Sequence, residues 1–591
     1  MRAVWGLYAA HLLIRAVVFG SAYFLQDDFV FQGQAARRGV FTTDYLLHIH
    51  SDHLMPAGYL VAGLAEWISP LNYWVVLATL LPMQAVASFL TLRLLVSLFG
   101  ARWLVLVPVT LALFSPLTLT SSTWWAAALN LLPVQACGAA AAWAGLTLLR
   151  TGRIRWGLAA LLALMVGLTF DNKAALIPLV VFVVVWVATP GTDGLARSAW
   201  TTIRRFWLLW LSAVGILAGW MAIYLSLSDP AIRDVSESTE VVRTAAITLV
   251  QGFVPASLGG PLVWSSVPGS GGAYASPPLW FTVVSIHVLA ALVVVGWLNT
   301  AHARRAWVGL TTYVACDLIV LALGRSGLVE TIGLNLRYTA DAMLLLAVAV
   351  GATFMPPRGE PEGQRATTLR RVVERRPRLT RVLALAVLYG YLAVSVVSHV
   401  SILGHLADND GREWLANVRD SVEEVGGSVA VLDTGVPDFI YWGLGYPYNQ
   451  LSWILAPIDG VKVEPVVDQL TRFDDTGRLR DAVLEGTASR PGPDGSCGWS
   501  VGPGGTRVWL AEPKFPWRYV MRVGYFTSED TTVVARFGEG DPVEIPFVGG
   551  GLQEVFVDLE GGDRFVTFEE PEGGVTVCLD VEIGEPLIPE T

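Results

Sequence analysis

Charged residues are scarce in this chain. They make up 15% of its 591 residues, whereas a soluble protein ordinarily carries about 25%. Lysine is limited to three residues and cysteine to four. So little charge excludes a chain that is soluble throughout. It also excludes the clustered positive surface of a nucleic-acid-binding protein, so no nucleic-acid partner is expected.

Long apolar stretches take the place of the missing charge. From Met1 to about Ser401 they recur at lengths near 20 residues, which is the length needed to cross a bilayer. The first stretch runs into polar residues rather than a small-residue cleavage site, so we predict an uncleaved first span. The eleven or so predicted spans are 4–25, 72–97, 103–120, 126–149, 155–170, 173–189, 206–227, 278–299, 307–324, 338–355 and 382–403.

Arginines indicate the sidedness of these spans, because basic loops stay cytoplasmic. Alternate loops carry them, and the loop 356–381 holds eight. We therefore predict a multi-pass protein of the plasma membrane with a cytoplasmic N-terminus. The segments 26–71, 228–277 and 325–337 then lie outside. Within 26–71, the stretch 54–69 is predicted as an interfacial amphipathic helix, with Trp67 and Tyr59 at headgroup depth.

Residues 404–591 have a different composition. They contain 33 acids and 13 Lys or Arg, so a transmembrane domain, 1–403, precedes an acidic, extracytoplasmic soluble domain. A helix at 408–425 and a strand at 428–432 suggest an α/β part, and short alternating runs with Gly-rich turns predict a β-sandwich from about 500. The clearest runs are Tyr519–Val523, Thr532–Phe537, Glu554–Leu559 and Val575–Val581.

The cysteines divide between the two regions. Cys137 and Cys316 lie within apolar spans, where a cysteine is most simply a small core residue. Cys497 and Cys578 are the cysteines of the tail. Outside the cytoplasm, a disulfide between them is expected.

Two acidic and histidine-rich motifs lie in the predicted outer segment 26–71. Asp27 and Asp28 are either a polar end to the first span or a general base or metal ligand beside a lipid-borne substrate. The segment His48–His53 contains His50, Asp52 and His53. Such a group either binds a transition metal or orients a phosphate, or it is a hydrated loop.

Two further motifs supply cations on the same side. Lys173 lies in a charged turn and is a candidate phosphate ligand, or the partner of Asp171. Arg337 and Tyr338 open a later span and are suited to hold a phosphate, or to anchor the helix at the interface. Arg15 and Asp317, both within spans, are interpreted as structural residues that pair in the bundle.

The order of these features resembles the GT-C superfamily of polyprenyl-phosphate-sugar glycosyltransferases, which includes protein mannosyltransferases and aminoarabinose transferases. The β-rich tail is similar to that of actinobacterial arabinofuranosyltransferases. The segments that carry the resemblance are Asp27-Asp28, His53–Ala57, Arg93–Gly100, Phe114–Pro116 and Asn172–Ala174.

The resemblance implies inverting transfer of a sugar from a polyprenyl-phosphate donor to a cell-envelope glycan, lipid or protein. Asp27 or Asp28 would be the base, and His50 and His53, with the other aspartate, would orient it or hold a divalent metal ion. Arg337 and Lys173 would bind the donor phosphate. A transporter or flippase of lipid-linked glycans is the competing interpretation.

The tail is a candidate carbohydrate-binding module for a polymeric acceptor. Aromatic side chains stack on sugar rings, and several are available there, although some must belong to the core. The candidates are Trp442, Tyr446, Tyr448, Trp453, Trp517 and Tyr519.

Overall fold

A computed structural model describes residues 2–191, 194–228, 238–266, 272–324, 329–358 and 377–589 of the chain. The chain divides into two compact units, Met1–Asn409 and Asp410–Thr591. The first is helical and the second contains most of the β-structure. Much of the arginine-rich loop 356–381, and the start of the predicted outer segment 325–337, lie outside the described residues.

The first unit, the helical unit, is a bundle of helices. In chain order these are α1 Arg2–Ser21, α2 Asp27–Arg38, α3 Thr43–Leu46, α4 Pro56–Ile68, α5 Tyr73–Phe99, α6 Leu106–Phe114, α7 Leu119–Thr123, α8 Trp125–Thr151, α9 Ile154–Leu168, α10 Ile177–Ala188, α11 Leu195–Arg205, α12 Trp207–Leu227, α13 Ser238–Ile247, α14 Val254–Ser257, α15 Leu279–Asn299, α16 Ala301–Gly324, α17 Val329–Leu334, α18 Met343–Phe354 and α19 Pro377–Ala407. Two hairpins complete it, β1 Ile49–His50 with β2 His53–Leu54 and β3 Trp264–Ser266 with β4 Ala273–Ala275.

Within the described ranges, eight helices are long and apolar enough to cross a membrane, and three shorter apolar helices accompany them. They fall on the stretches that hydropathy predicts, in the same order along the chain. The shorter ones are Ile154–Leu168, Asn172–Ala188 and Ala340–Phe354. The protein is therefore a polytopic helical membrane protein, as its apolar pattern predicts.

Small residues let the central helices approach closely. Helix α8 is rich in alanine and packs against α5, α9 and α10. A Cβ atom at Gly145 would lie 2.7 Å from a methyl carbon of Val181 on α10, so a larger residue would separate the two helices. Contacts of this kind hold helices together where lipid provides no hydrophobic drive.

The segment 26–71 forms α2, α3, the β1–β2 hairpin and α4. The predicted helix at 54–69 is confirmed as α4, and Trp67 is exposed. The prediction that Tyr59 lies at headgroup depth is wrong. Its side chain is buried, with its ring centroid 5.2 Å from that of Phe31 and 5.1 Å from that of Tyr45, because α4 packs against α2 and α3.

The second unit, the sheet unit, begins with α20 Asp410–Glu424, which confirms the helix predicted there. The remaining helix is α21 Leu451–Ile454, and the strands are β5 Val429–Val431, β6 Val461–Val463, β7 Val466–Val467, β8 Thr471–Phe473, β9 Leu479–Asp481, β10 Val483–Ala488, β11 Trp499–Val501, β12 Thr506–Trp509, β13 Trp517–Thr527, β14 Thr531–Phe537, β15 Val543–Phe547, β16 Gly551–Gly561, β17 Phe565–Phe568 and β18 Val577–Leu587. The four alternating runs predicted as strands are β13, β14, β16 and β18.

Ten of these strands form one sheet in the order β10-β18-β13-β16-β14-β17-β12, with β11 on β18, β15 on β14 and β7 on β16. Strands β14 and β16 meet at the single parallel pair Phe537 and Gly561, which separates two antiparallel groups. Residues of both groups share one apolar core, for example Val557 and Phe568, so the sheet folds into a sandwich. Cys497 and Cys578 are joined by a disulfide.

Candidate functional site

The carboxylate of Asp28 is bound to the backbone. Asp28 lies in the first turn of α2 and is fully buried. Its Oδ2 accepts the N–H of Leu25 at 2.9 Å, and its Oδ1 accepts the N–H of Ala126 at 2.7 Å. Burial raises the pKa of Asp28 well above its ordinary value, although these N–H donors oppose the shift. Because Ala126 opens α8, Asp28 fixes the start of that helix.

The carboxylate of Asp27, in contrast, is partly accessible. About a quarter of its side chain is exposed, and its Oδ1 lies 3.0 Å from Nε2 of His50. The imidazole of His50 is itself buried and meets the ring of Phe31 edge-on. The acidic pair thus divides into a buried carboxylate that holds the backbone and an accessible one that contacts a histidine.

A two-residue turn sets the spacing of the histidines. Ser51 and Asp52 have φ values of 48° and 68°, as in the tight turns that join antiparallel strands. His50 and His53 are therefore direct cross-strand partners. His53 lies with its Nδ1 3.4 Å from Oδ1 of Asp171, so the two histidines contact different carboxylates.

Asp52 belongs to this turn. Its carbonyl oxygen accepts a hydrogen bond from Nδ2 of Asn172 at 3.0 Å, which ties the hairpin to the turn before α10. In the part of the chain that the structure describes, no group of three or more His, Cys, Asp or Glu converges to hold a metal ion. His50, His53 and Asp52 do not form such a group, and metal dependence stays a prediction.

Asp171 is the second carboxylate that contacts a histidine of the β1–β2 hairpin. Burial acts to raise its pKa, but His53 and the backbone N–H of Lys173, which donates to Oδ1 at 2.8 Å, lower the pKa below its ordinary value. The carboxylate caps the turn Asn172–Leu176 and holds His53. Asp171 therefore joins the hairpin to the bundle.

Lys173 is engaged by the protein. Its Nζ lies 2.8 Å from Oδ1 of Asp317 and 2.8 Å from Oδ1 of Asp341, and it donates to the carbonyl oxygen of Tyr338 at 2.7 Å. Tyr313 donates to the other oxygen of Asp341 at 2.6 Å. Two hydrogen bonds and one further ion pair thus engage the ammonium group. Its side chain thus pairs with these acids rather than with its neighbour Asp171.

The interpretation that Arg15 pairs with Asp317 is wrong. Arg15 donates to Oγ of Ser122 at 2.8 Å and to Oγ1 of Thr118 at 2.5 Å, whereas Asp317 pairs with Lys173. Both residues are buried, as expected for charges within spans. Helix packing determines the partner of each residue, and hydropathy alone does not predict these partners.

Arg337 lies in an aromatic setting. Its guanidinium carbon is 4.6 Å from the ring centroid of Trp124 and 4.9 Å from that of Tyr338, whose hydroxyl accepts from Nη2 at 2.8 Å. Burial alone would lower the pKa of Arg337, but Tyr338 and Asp27 raise it above its ordinary value. The site thus combines an accessible carboxylate with a fixed cation.

Sequence reasoning missed the segment that connects these groups. The strip from Thr118 to Ala126 supplies the hydroxyls for Arg15, the indole under Arg337 and the N–H for Asp28. A signal was present, because five hydroxyl residues occur within 118–123, at the boundary between two predicted spans. All of these five are buried. We refer to 118–126 as the hydroxyl strip.

No protein-family model matches the chain, and the search of curated proteins found no match. Solved structures do match. ArnT from Cupriavidus metallidurans, bound to undecaprenyl phosphate, has 12% identity and a TM-score of 0.45 over 77% of this chain and 85% of its own.

Two mycobacterial enzymes match nearly the whole chain. The arabinofuranosyltransferase AftD has 12% identity and a TM-score of 0.39, covering 99% of this chain and 58% of its own. The arabinosyltransferase EmbB from Mycobacterium smegmatis has 13% identity and a TM-score of 0.34, covering 100% and 64%. This chain therefore spans about three fifths of their length.

Proposed function

We propose that the helical unit transfers a sugar from a polyprenyl-phosphate donor to an acceptor of the cell envelope. The observation that carries the proposal is the accessible Asp27 carboxylate, held by His50 and within the electrostatic influence of the Arg337 guanidinium. A base beside a phosphate-binding cation is what such a transfer requires. Inverting transfer is proposed from the resemblance to the GT-C superfamily.

Each residue then has one role in the reaction. Asp27 accepts the proton of the acceptor hydroxyl as that oxygen attacks the anomeric carbon. The bond from the anomeric carbon to the phosphate oxygen breaks, and the polyprenyl phosphate leaves with the electron pair. Arg337 and Tyr338 stabilise the charge on the departing phosphate. His50 orients Asp27, and Asp28 and Lys173 position the backbone around them.

We infer from the arginine distribution that this chemistry takes place on the outer face of the plasma membrane. The residues Asp27, His50 and Arg337 all lie in segments that the positive-inside rule assigns to the outside. The donor would then enter from the bilayer, and an envelope glycan or glycolipid would be the acceptor.

We further propose that the sheet unit holds a glycan. A groove of about 1260 Å³ in this unit carries the exposed rings of Trp517 and Tyr446 beside the polar side chains of Asp433 and Asn449. Rings and hydrogen-bonding groups together suit a sugar. Of the aromatic candidates, Tyr519 is buried and packs against Phe537, so it belongs mainly to the core.

The decisive experiment incubates purified protein with defined polyprenyl-phosphate sugars and follows the release of polyprenyl phosphate. Asp27→Asn removes the base while preserving shape, and we expect transfer to fall about 10²- to 10⁴-fold. Asp44→Asn is the matched control, since Asp44 lies in the same segment and its side chain is 74% exposed.

Two results would contradict the proposal. One is full transfer by Asp27→Asn. The other is movement of the intact lipid-linked sugar across a vesicle membrane without release of polyprenyl phosphate, which would favour the transporter interpretation. Acceptor-dependent release by the unchanged protein, lost in Asp27→Asn and kept in Asp44→Asn, would support an enzyme.

A further inference from the structure

A polar cavity of about 50 Å³ lies inside the helical unit. A single water needs about 10–15 Å³ of cavity volume. The cavity therefore has room for a few waters or one phosphate-sized group. Its polar lining includes His11, Arg15, Gln84, Ser88, Lys173 and Asp341. These side chains come from α1, α5 and the turns before α10 and α18, so the cavity lies between separate elements of the bundle.

Arg15 is a buried cation that lines this cavity. Its side chain is 1% accessible to solvent, and its guanidinium is bonded to two neutral hydroxyls, those of Ser122 and Thr118. Within the described residues its Nε has no hydrogen-bond partner, and no carboxylate forms an ion pair with it. A buried charge is retained when it is paired or used. The protein itself therefore leaves the positive charge of Arg15 without a direct counterion.

The other ionisable groups of the cavity are already satisfied. Lys173 lies 2.8 Å from both Asp317 and Asp341, so these two carboxylates are bound to an ammonium rather than to Arg15. When Asp317 and Asp341 are ionised, their two negative charges balance the positive charges of Lys173 and Arg15. Both carboxylates, however, contact Lys173. The unmet requirement of the cavity is thus an acceptor next to Arg15.

Uncharged groups around Arg15 can complete a binding shell. Gln84 donates to Oγ of Ser88 at 2.8 Å, and Nε2 of His11 lies 2.9 Å from the same oxygen. Among the described residues, Oε1 of Gln84 also lacks a hydrogen-bond partner although Gln84 is 5% exposed. This oxygen is an acceptor, so it suits a protonated P–OH group, whereas the guanidinium N–H groups donate to the other phosphate oxygens.

We propose that this cavity binds a phosphate group through Arg15, at a site separate from Arg337. The planar guanidinium offers several N–H donors to tetrahedral oxygens, and the cavity has the matching size. The phosphate is either the headgroup of a polyprenyl phosphate or free inorganic phosphate. The site does not depend on Asp27 acting as a base, so it stands or fails apart from the proposed reaction.

The test uses the full-length protein in detergent with three probes: inorganic phosphate, undecaprenyl phosphate and undecaprenol. Native mass spectrometry counts bound lipid, and calorimetry measures inorganic phosphate. Arg15→Gln should weaken binding of at least one phosphate probe about tenfold or more, because it removes a charge-assisted contact. Gln84→Met, which preserves volume, provides a second variant if Arg15→Gln does not fold, and it should weaken the same binding several-fold.

Arg305→Gln is the matched control. Arg305 is also a fully buried arginine of the bundle, but its guanidinium donates to the carbonyl oxygens of Trp186, Thr189 and Gly191. Phosphate binding should therefore survive this change. Equal losses in Arg305→Gln and Arg15→Gln would overturn the proposal, because general damage to the bundle would explain both.

The probes separate the two sources of phosphate. Inorganic phosphate bound in an Arg15-dependent manner supports a free-phosphate site, and undecaprenyl phosphate bound where undecaprenol is not supports a headgroup site. Absence of any Arg15-dependent binding overturns the proposal. Arg337→Gln serves as the independent variant for the donor phosphate of the proposed reaction, so a loss confined to that variant concerns the reaction alone.

Discussion

The two units of the chain differ in what they bury. The helical unit encloses charged side chains, among them Arg15, Asp28 and Asp317, which are all at most 2% exposed. In the described part of the sheet unit no charged residue is buried to that degree, and its main core is wholly apolar. The unit that faces lipid therefore has the more polar interior.

This difference shows which contacts hold each unit together. Burial of apolar surface stabilises the sheet unit, and the Cys497–Cys578 disulfide links β18 to the turn before β11. In lipid, apolar burial provides little drive between helices, so directed polar bonds and close packing count for more. Buried charges in such a setting are commonly functional. The helical unit is accordingly where the catalytic proposal belongs.

The strongest test of the comparison is Lys173→Met. It leaves the buried carboxylates of Asp317 and Asp341 without their cation, and we expect the helical unit to lose about 3–5 kcal/mol. Thermal unfolding followed by the helical circular dichroism signal measures it. Lys462→Met, an exposed change in the sheet unit, is the control. Equal unfolding temperatures of the two variants would show that the buried charges contribute little.

The converse test replaces both Cys497 and Cys578 by serine. The disulfide closes a loop with a sequence separation of 81 residues, and its loss should destabilise the sheet unit by about 2–5 kcal/mol. Protease resistance of the sheet unit should fall while the helical signal stays unchanged. Cys316→Ala provides the comparison, since Cys316 is a free thiol. A parallel loss of helical stability would argue against separate contributions.

The acidic pair provides a sharper contrast within the helical unit. Asp28→Asn replaces one of the two carboxyl oxygens that accept the N–H groups of Leu25 and Ala126 by an NH2 group, so stability should fall by about 1–3 kcal/mol. Asp27→Asn should reduce transfer with little change in unfolding temperature. Unfolding curves and transfer rates of both variants measure this division. Identical behaviour of the two would refute the distinction between a base and a positioning residue.

The smallest expected effect is a dependence of the helical unit's stability on pH through His48. Burial and the nearby Arg38 lower the pKa of His48 to about 4. The folded state therefore favours neutral His48. The stability that this preference contributes is present above the unfolded pKa near 6.5 and is lost as the pH falls towards 4. Unfolding temperatures between pH 7 and 4.5 should fall less in His48→Gln than in the unchanged protein. The same slope in both would exclude His48 as the cause.

The sequence predicts the layout of both units because the signals are local. Runs of about 20 apolar residues mark the membrane helices, and alternation with Gly-rich turns marks β13, β14, β16 and β18. Burial of individual aromatic residues is less predictable. Tyrosine is common at interfaces and surfaces, but Tyr59 and Tyr519 are both buried by other elements of the fold.

The site was only partly predictable, because its contacts join distant parts of the chain. Asp27 and His50 lie in one segment, 26–71, and their proximity could be expected. The partners of Lys173 are Asp317 and Asp341, far away in sequence, whereas the adjacent Asp171 looked like the natural partner. Two neighbouring aspartates likewise give no indication of which one is buried. Tertiary packing makes that choice.

The hydroxyl strip has a consequence for how ligands could influence one another. One face of residues 118–126 is bonded to Arg15, another lies under Arg337, and its end is held by Asp28. A ligand that displaced this strip at the cavity would also displace the indole of Trp124 under Arg337, and the reverse would hold. Thermodynamic linkage would then require each ligand to change the affinity of the other by the same factor. These nine residues would be the route by which binding at one site affects the other.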